Sequence, residues 1–134
     1  MSGEKDLSKL LQNMTPQLHD GDYVFCVVDD LVAVDMALVI SVFKEQEGYT
    51  LILQREYADL WQLAYTLVLS WITLTVHSSL EAVGLTAAFS KALSENGIGC
   101  NVVAAYYHDH IFVGASDALR AMEVLKGLRD ATSF

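Results

Sequence analysis

The sequence predicts an α+β fold: two ferredoxin-like βαββαβ sandwiches in tandem, each with its helices on one face of an antiparallel sheet. Three observations predict it. Short β-branched runs and amphipathic segments alternate in the order β-α-β-β-α-β twice over, with no obvious fourth strand in the second copy. A length of 134 residues fits one ordinary domain or two very small units sharing a core. Hydrophobic residues make up 53% and charged residues 19%, so apolar material is ample for a core and too plentiful for disorder.

Leu7, Leu10, Leu11 and Met14 fall at i, i+3, i+4 and i+7, which predicts a short amphipathic helix over 4–14, closed by Thr15-Pro16. A polar turn, His19-Asp20-Gly21-Asp22, leads into a buried strand over 23–28. Asp29-Asp30 offers an N-cap for a brief helix reaching Leu38. Strands over 39–44 and 49–54 flank a Glu-Gln-Glu-Gly turn as a hairpin, and a helix follows over 55–62. From 65 to 77 the chain is extended; Ile72, Leu74 and Val76 alternate with Thr73, Thr75 and His77, giving one apolar and one polar face.

In the second half, Leu85, Ala88, Phe89, Ala92 and Leu93 form a helical stripe that stops at Asn96-Gly97. Strands over 98–107 and 111–113 surround a polar tip, His108-Asp109-His110, and Ser116 caps a last helix striped by Ala118, Ala121, Met122 and Leu125. The expected division is 1–20 as an N-terminal helix and turn, 21–70 as a first unit and 71–134 as a second.

Seventeen acidic against eight basic residues give a net charge of -9, a field that repels phosphate backbones and anionic membrane surfaces. Cys26 and Cys100 each lie in an apolar run and read as reduced core residues. Residues 60–80 carry no charge, long enough to weigh as a membrane span, but Gln62, Thr66, Ser70, Thr73, Thr75 and His77 interrupt them and favour a strand. With no signal-like run near Met1, the expected compartment is the cytoplasm.

For chemistry the signals are thin: no G-x-S-x-G, P-loop, G-x-G-x-x-G or H-E-x-x-H occurs. His108 and His110 point to one side of an extended segment, a spacing that can serve zinc with His77 or Asp109 as a third ligand, yet a polar hairpin tip explains them as well. Asp29-Asp30 reads as a cap, and Trp61 and Trp71 as core or interface anchors.

The run from Ile72 through His77-Ser-Ser-Leu-Glu-Ala-Val-Gly84-Leu to Phe89, continuing to Glu95-Asn-Gly-Ile-Gly-Cys-Asn101, resembles the first strand, loop, helix and second strand of an ACT domain. Gly84-Leu85 stands at the family's glycine-led helix entry, Asn96-Gly97-Ile98 with Asn101 resembles its turn into strand two, and His110 to Val113 its third strand. The whole chain resembles a stand-alone bacterial tandem ACT protein, similar in layout to the regulatory pair of aspartokinase. That resemblance implies a non-catalytic regulatory module, a homodimer, binding an amino acid at the loop after the first strand. Carried over, the ligand-binding residues are His77, Ser78, Ser79, Glu81, Val83, Gly84, Leu85 and Asn101, with no cofactor, metal, nucleic acid or membrane. Asp29-Asp30, at the equivalent corner of the first half, lacks the glycine.

Each position also has a plain structural reading. Backbone N-H groups at a helix start suit a carboxylate, but Ser78-x-x-Glu81 is equally a capping box that uses the same donors. Gly84 admits a ligand or only tight packing, and Asn101 reads a ligand or bonds its neighbours. Two other function classes stand beside the leading one: a scaffold without ligand, and a small hydrolase or transferase using His77, His108 or His110 as general base.

Overall fold

The computed structural model describes residues 6–75 and 84–131. The elements in chain order are α1 (Leu7–Asn13), β1 (Thr15–Leu18), β2 (Tyr23–Val28), β3 (Val39–Lys44), β4 (Tyr49–Gln54), α2 (Arg55–Leu60), β5 (Leu69–Thr75), α3 (Leu85–Glu95), β6 (Cys100–Ala104), β7 (Asp109–Gly114) and α4 (Ala118–Ala131). The chain divides into a larger unit, Met1–His19 with Trp71–Phe134, and a smaller one, Asp20–Ser70. Both are ferredoxin-like.

In the larger unit the strand order is β1-β5-β7-β6. Its fourth strand, absent from the second half of the sequence, comes from the N-terminal segment. Thr15 lies opposite Thr75 and Leu18 opposite Ile72, antiparallel. The expectation that Thr15-Pro16 only ends a helix is therefore corrected. Pro16 has no N-H to donate, which bars it from a central strand and suits it to this outer one.

Alternation then sorts the faces. Ile72 and Leu74 on β5, with Ile111 and Val113 on β7, are buried against Leu10, Leu11 and Met14, against Leu85, Phe89 and Leu93 of α3, and against Ala121 and Leu125 of α4. A seven-residue helix such as α1 is marginal alone; here Asp6 caps it by accepting from the Lys9 N-H at 3.3 Å, and burial of its stripe holds it. α3 ends where Gly97 turns left-handed (φ 71), with the Ile98 N-H bonded to the Leu93 carbonyl at 2.9 Å and the Gly97 N-H to Ser94 at 3.0 Å.

In the smaller unit the order is β3-β4-β2-β5, where β5 contributes Leu69 opposite Tyr23. Val24 pairs with Leu53 and Cys26 with Leu51, so all four share a face and are buried with Ala58 of α2. Tyr57, Trp61 and Tyr65 pack partly buried around them. The helix expected after Asp29-Asp30 is absent. Asp30 accepts from the Val32 N-H at 3.0 Å and Asp35 from the Ala37 N-H at 3.1 Å, leaving only a 3-10 turn, Met36–Leu38. Such local carboxylate-to-backbone bonds compete with helix formation, and β-branched Val32 and Val34 add to the bias.

Two smaller corrections concern the second half. β7 begins at Asp109, two residues before the expected start, and the hairpin is closed by the Ala105 N-H bonding the His108 carbonyl at 3.0 Å. Tyr106 and Tyr107 thus form the tip, and His110 lies within the ladder opposite Val103. Ser116 sits inside a 3-10 turn, Ala115–Asp117, that leads into α4 and has no side-chain cap.

The uncharged stretch 60–80 begins at the end of α2 and runs into β5. No described helix is long and apolar enough to cross a membrane. Cys26 and Cys100 are free thiols, and burial pushes both above the ordinary thiol range, so neither is a ready nucleophile.

Leu10→Ala should cost about 2–5 kcal/mol, because it empties a filled core position under α1. Leu119→Ala, at a position 76% exposed on α4, should change stability by less than about 0.5 kcal/mol. Urea unfolding followed by circular dichroism checks both, and equal losses would place α1 off the core.

Candidate functional site

Gly84 is the N-cap of α3 and adopts φ 96, a left-handed conformation that costs other residues energy. No side chain caps the helix start among the described residues, and the first turn shows no acidic residue. Such a start concentrates the partial positive charge of an eleven-residue helix on backbone N-H groups next to Gly84. A Cβ at position 84 would sit 3.3 Å from Leu7 Cδ2, so the glycine also lets α1 pack close. His77, Ser78, Ser79, Glu81 and Val83 lie outside the described residues. The Ser78-x-x-Glu81 pattern therefore also lies outside the described residues.

Leu85 points inward and is buried beside Phe89. Asn101 is exposed on β6, directly opposite Phe112, and so lies on the sheet face away from the helices. The structure therefore keeps Gly84 next to Leu85 but assigns Leu85 and Asn101 to opposite sides of the sheet.

That second face carries a polar cluster that sequence reasoning missed. Trp71 and Thr73 of β5, His110 and Phe112 of β7, and His19 just beyond β1 meet there. Thr73, only 5% exposed, has its hydroxyl 2.7 Å from His19 Nε2 and 3.0 Å from His110 Nδ1. The indole N-H of Trp71 donates to His110 Nδ1 at 3.1 Å. The His19 ring stacks on Trp71 at 3.7 Å, and Phe112 lies 6.1 Å from the same indole.

An indole N-H can only donate, so His110 Nδ1 is an unprotonated acceptor. Its single lone pair serves Trp71, and the Thr73 hydroxyl, in contact with both rings, shares with His19 Nε2 a bond whose direction follows the His19 tautomer. Burial first, then the neighbouring positive potential of His108 and His19, pushes His110 below the ordinary histidine range, with Asp109 opposing. Burial likewise pushes the Asp109 carboxyl up, against the pull of His110 and His108. His108 Nδ1 is buried with no hydrogen-bond partner among the described residues. Among those residues no group of three or more His, Cys, Asp or Glu side chains is placed to hold a metal ion.

Residues 2–70 match one ACT domain family and residues 67–127 a second one. The chain belongs to the ACT family. A Vibrio cholerae protein of unknown function, described as a possible transport protein, is 48% identical over 93% of this chain and 97% of that one, with a TM-score of 0.84. An Agrobacterium tumefaciens protein is 17% identical at a TM-score of 0.70, covering 87% of this chain and 89% of that one. The ligand-free regulatory subunit of aspartate kinase from Thermus thermophilus is 8% identical at 0.61, covering 87% and 96%. The last two likenesses concern the fold alone. No curated protein matches the chain.

Both halves are thus ACT units, and only the larger keeps the glycine-led helix entry. Its polar cluster could have been suspected from the alternation of Trp71, Thr73 and Thr75. His19 gave no signal, because the short strand β1 that precedes it and carries it to β5 shows too little alternation to be read.

Asp109→Asn should raise the melting temperature near neutral pH, since burial disfavours the charged carboxylate in the folded chain. A raised carboxyl costs stability above its folded pKa and nothing once both states are protonated. The gain should therefore shrink as pH falls through the carboxylate range. Calorimetry across that range checks it, and a gain independent of pH would remove the electrostatic cause.

Proposed function

We propose that this tandem ACT chain is a non-catalytic regulatory module that binds a small molecule, an amino acid, where the chain passes from β5 into α3, and that it works as a homodimer. The observation that carries the reading is the start of α3: a left-handed Gly84 N-cap, with no side-chain cap among the described residues, presents oriented backbone N-H groups suited to a ligand carboxylate. Family membership supports the same corner, as does the fold likeness to a protein that is a regulatory subunit of aspartate kinase. Compartment is proposed as cytoplasmic, in keeping with the acidic surface and free thiols.

A catalytic reading has one attraction, the Thr73 hydroxyl held between two imidazoles. A nucleophile must reach a substrate carbon, and Thr73 is buried within the sheet face, so the chain of bonds is better suited to fixing side chains than to attack.

A molecule that binds only the folded chain stabilises it by about 2.7 kcal/mol at 100 times its dissociation constant. A thermal-shift screen with the twenty amino acids should therefore give at least one clear upward shift. Gly84→Val should weaken that hit by straining the helix entry and narrowing the approach, and Asn101→Ala tests whether the far face takes part. A flat screen would favour a scaffold without ligand.

The dimer rests on a different observation from the one expected of the sequence. β1 fills the place of the missing fourth strand, so that edge of the larger unit is covered. The other edge, β6, carries neither charge nor proline over Cys100–Ala104, the usual devices against edge pairing. Two copies of β6 can pair antiparallel about a two-fold axis. Sedimentation at micromolar concentration should give twice the 14.8 kDa monomer mass, and Val102→Lys should reduce it to one. A monomer with and without ligand would sink this assembly.

A further inference from the structure

We propose that His110, with Trp71, Thr73 and His19, forms an acid-sensing latch on the helix-free face of the larger unit's sheet. The latch is independent of the ligand reading above. In its closed form the neutral ring accepts at Nδ1 from the Trp71 indole N-H, with the Thr73 hydroxyl 3.0 Å from the same nitrogen and 2.7 Å from His19 Nε2. Protonation reverses this nitrogen from acceptor to donor. The Thr73 hydroxyl oxygen can accept from the protonated ring, but the indole N-H is donor only and loses this acceptor. The strain therefore falls on Trp71, which carries the stack with His19 and the ring contact with Phe112. A proton taken up on β7 is thus felt on β5 and at the end of β1.

Among the described residues the titratable groups that bear on His110 are His19 from beyond β1 and His108 and Asp109 from its own hairpin; Val103, opposite it on β6, is uncharged. His108 and His19 oppose the proton and Asp109 favours it, with burial the largest influence and against it. An unfolded histidine titrates near ~6.5. With the folded value lower, the unfolded chain takes the proton first, so stability falls as pH drops through about 6.5 and levels off below the folded value. The latch is closed at neutral pH and opens only below the ordinary histidine range.

Nuclear magnetic resonance of the full chain, titrated from about pH 8 down to about pH 5, tests this directly. The His110 ring should titrate below the ordinary value, and the Trp71 indole N-H should shift with the same midpoint, while the Trp61 indole does not follow it. His110→Asn keeps an acceptor oxygen near the place of Nδ1 without titrating. It should preserve the fold and abolish the pH-dependent shift of Trp71. The latch is overturned by a His110 midpoint at or above the ordinary value, by a Trp71 signal that ignores pH, or by a Trp71 shift that survives unchanged in His110→Asn.

Discussion

The antiparallel pairing of β1 with β5 is the constraint on which the larger unit depends. Four residues, Thr15–Leu18, cover the flank of a strand that would otherwise stand exposed. Because β1 follows α1 after a single residue, the same pairing delivers Leu10, Leu11 and Met14 to the core over Ile72 and Leu74. It also fixes His19, whose backbone N-H bonds the Trp71 carbonyl at 2.9 Å, directly over the indole. One short strand therefore sets an edge, closes a core and completes a polar cluster on the opposite face.

That cluster is an uncommon use of a sheet face. Buried polar groups cost several times what an exposed one does unless every donor and acceptor is matched. Thr73 meets the condition by bonding on both sides, and Trp71 by finding an acceptor in His110. Such a matched network fixes register and rotamers more sharply than apolar packing does, because a shifted strand would break several bonds at once. Its weak point is the imidazole, whose bonding role depends on a proton.

Element types and order were legible in the sequence wherever periodicity was strong, as in α3 and in the alternation along β5. They failed where local chemistry competed. Thr15-Pro16 is a reliable helix stop, and four residues with a proline carry too little alternation to announce a strand whose partner is more than fifty residues away. Asp29-Asp30 looks like a cap, but aspartates also close tight turns on their own backbone, and only the short span to β3 decides between the two. At the site, Gly84 was readable because a left-handed helix entry nearly demands glycine. The separation of Leu85 from Asn101 was not, since it depends on which sheet face each strand residue takes. Nor was the meeting of His19 with His110, which requires knowing that β1 and β7 both flank β5.

The two ACT units share strand order but not helical layer, and the difference shows in their electrostatics. In the smaller unit the connection after β2 is a pair of aspartate turns and a three-residue 3-10 turn, and α2 has six residues. Neither presents aligned peptide dipoles over several turns, and the aspartates of the connection place negative charge where an anion would approach. In the larger unit α3 runs eleven residues from Gly84, with no side-chain cap among the described residues. The two units thus differ in electrostatics: the larger presents the aligned N-H groups of a long helix at Gly84, and the smaller presents aspartate carboxylates along the matching connection.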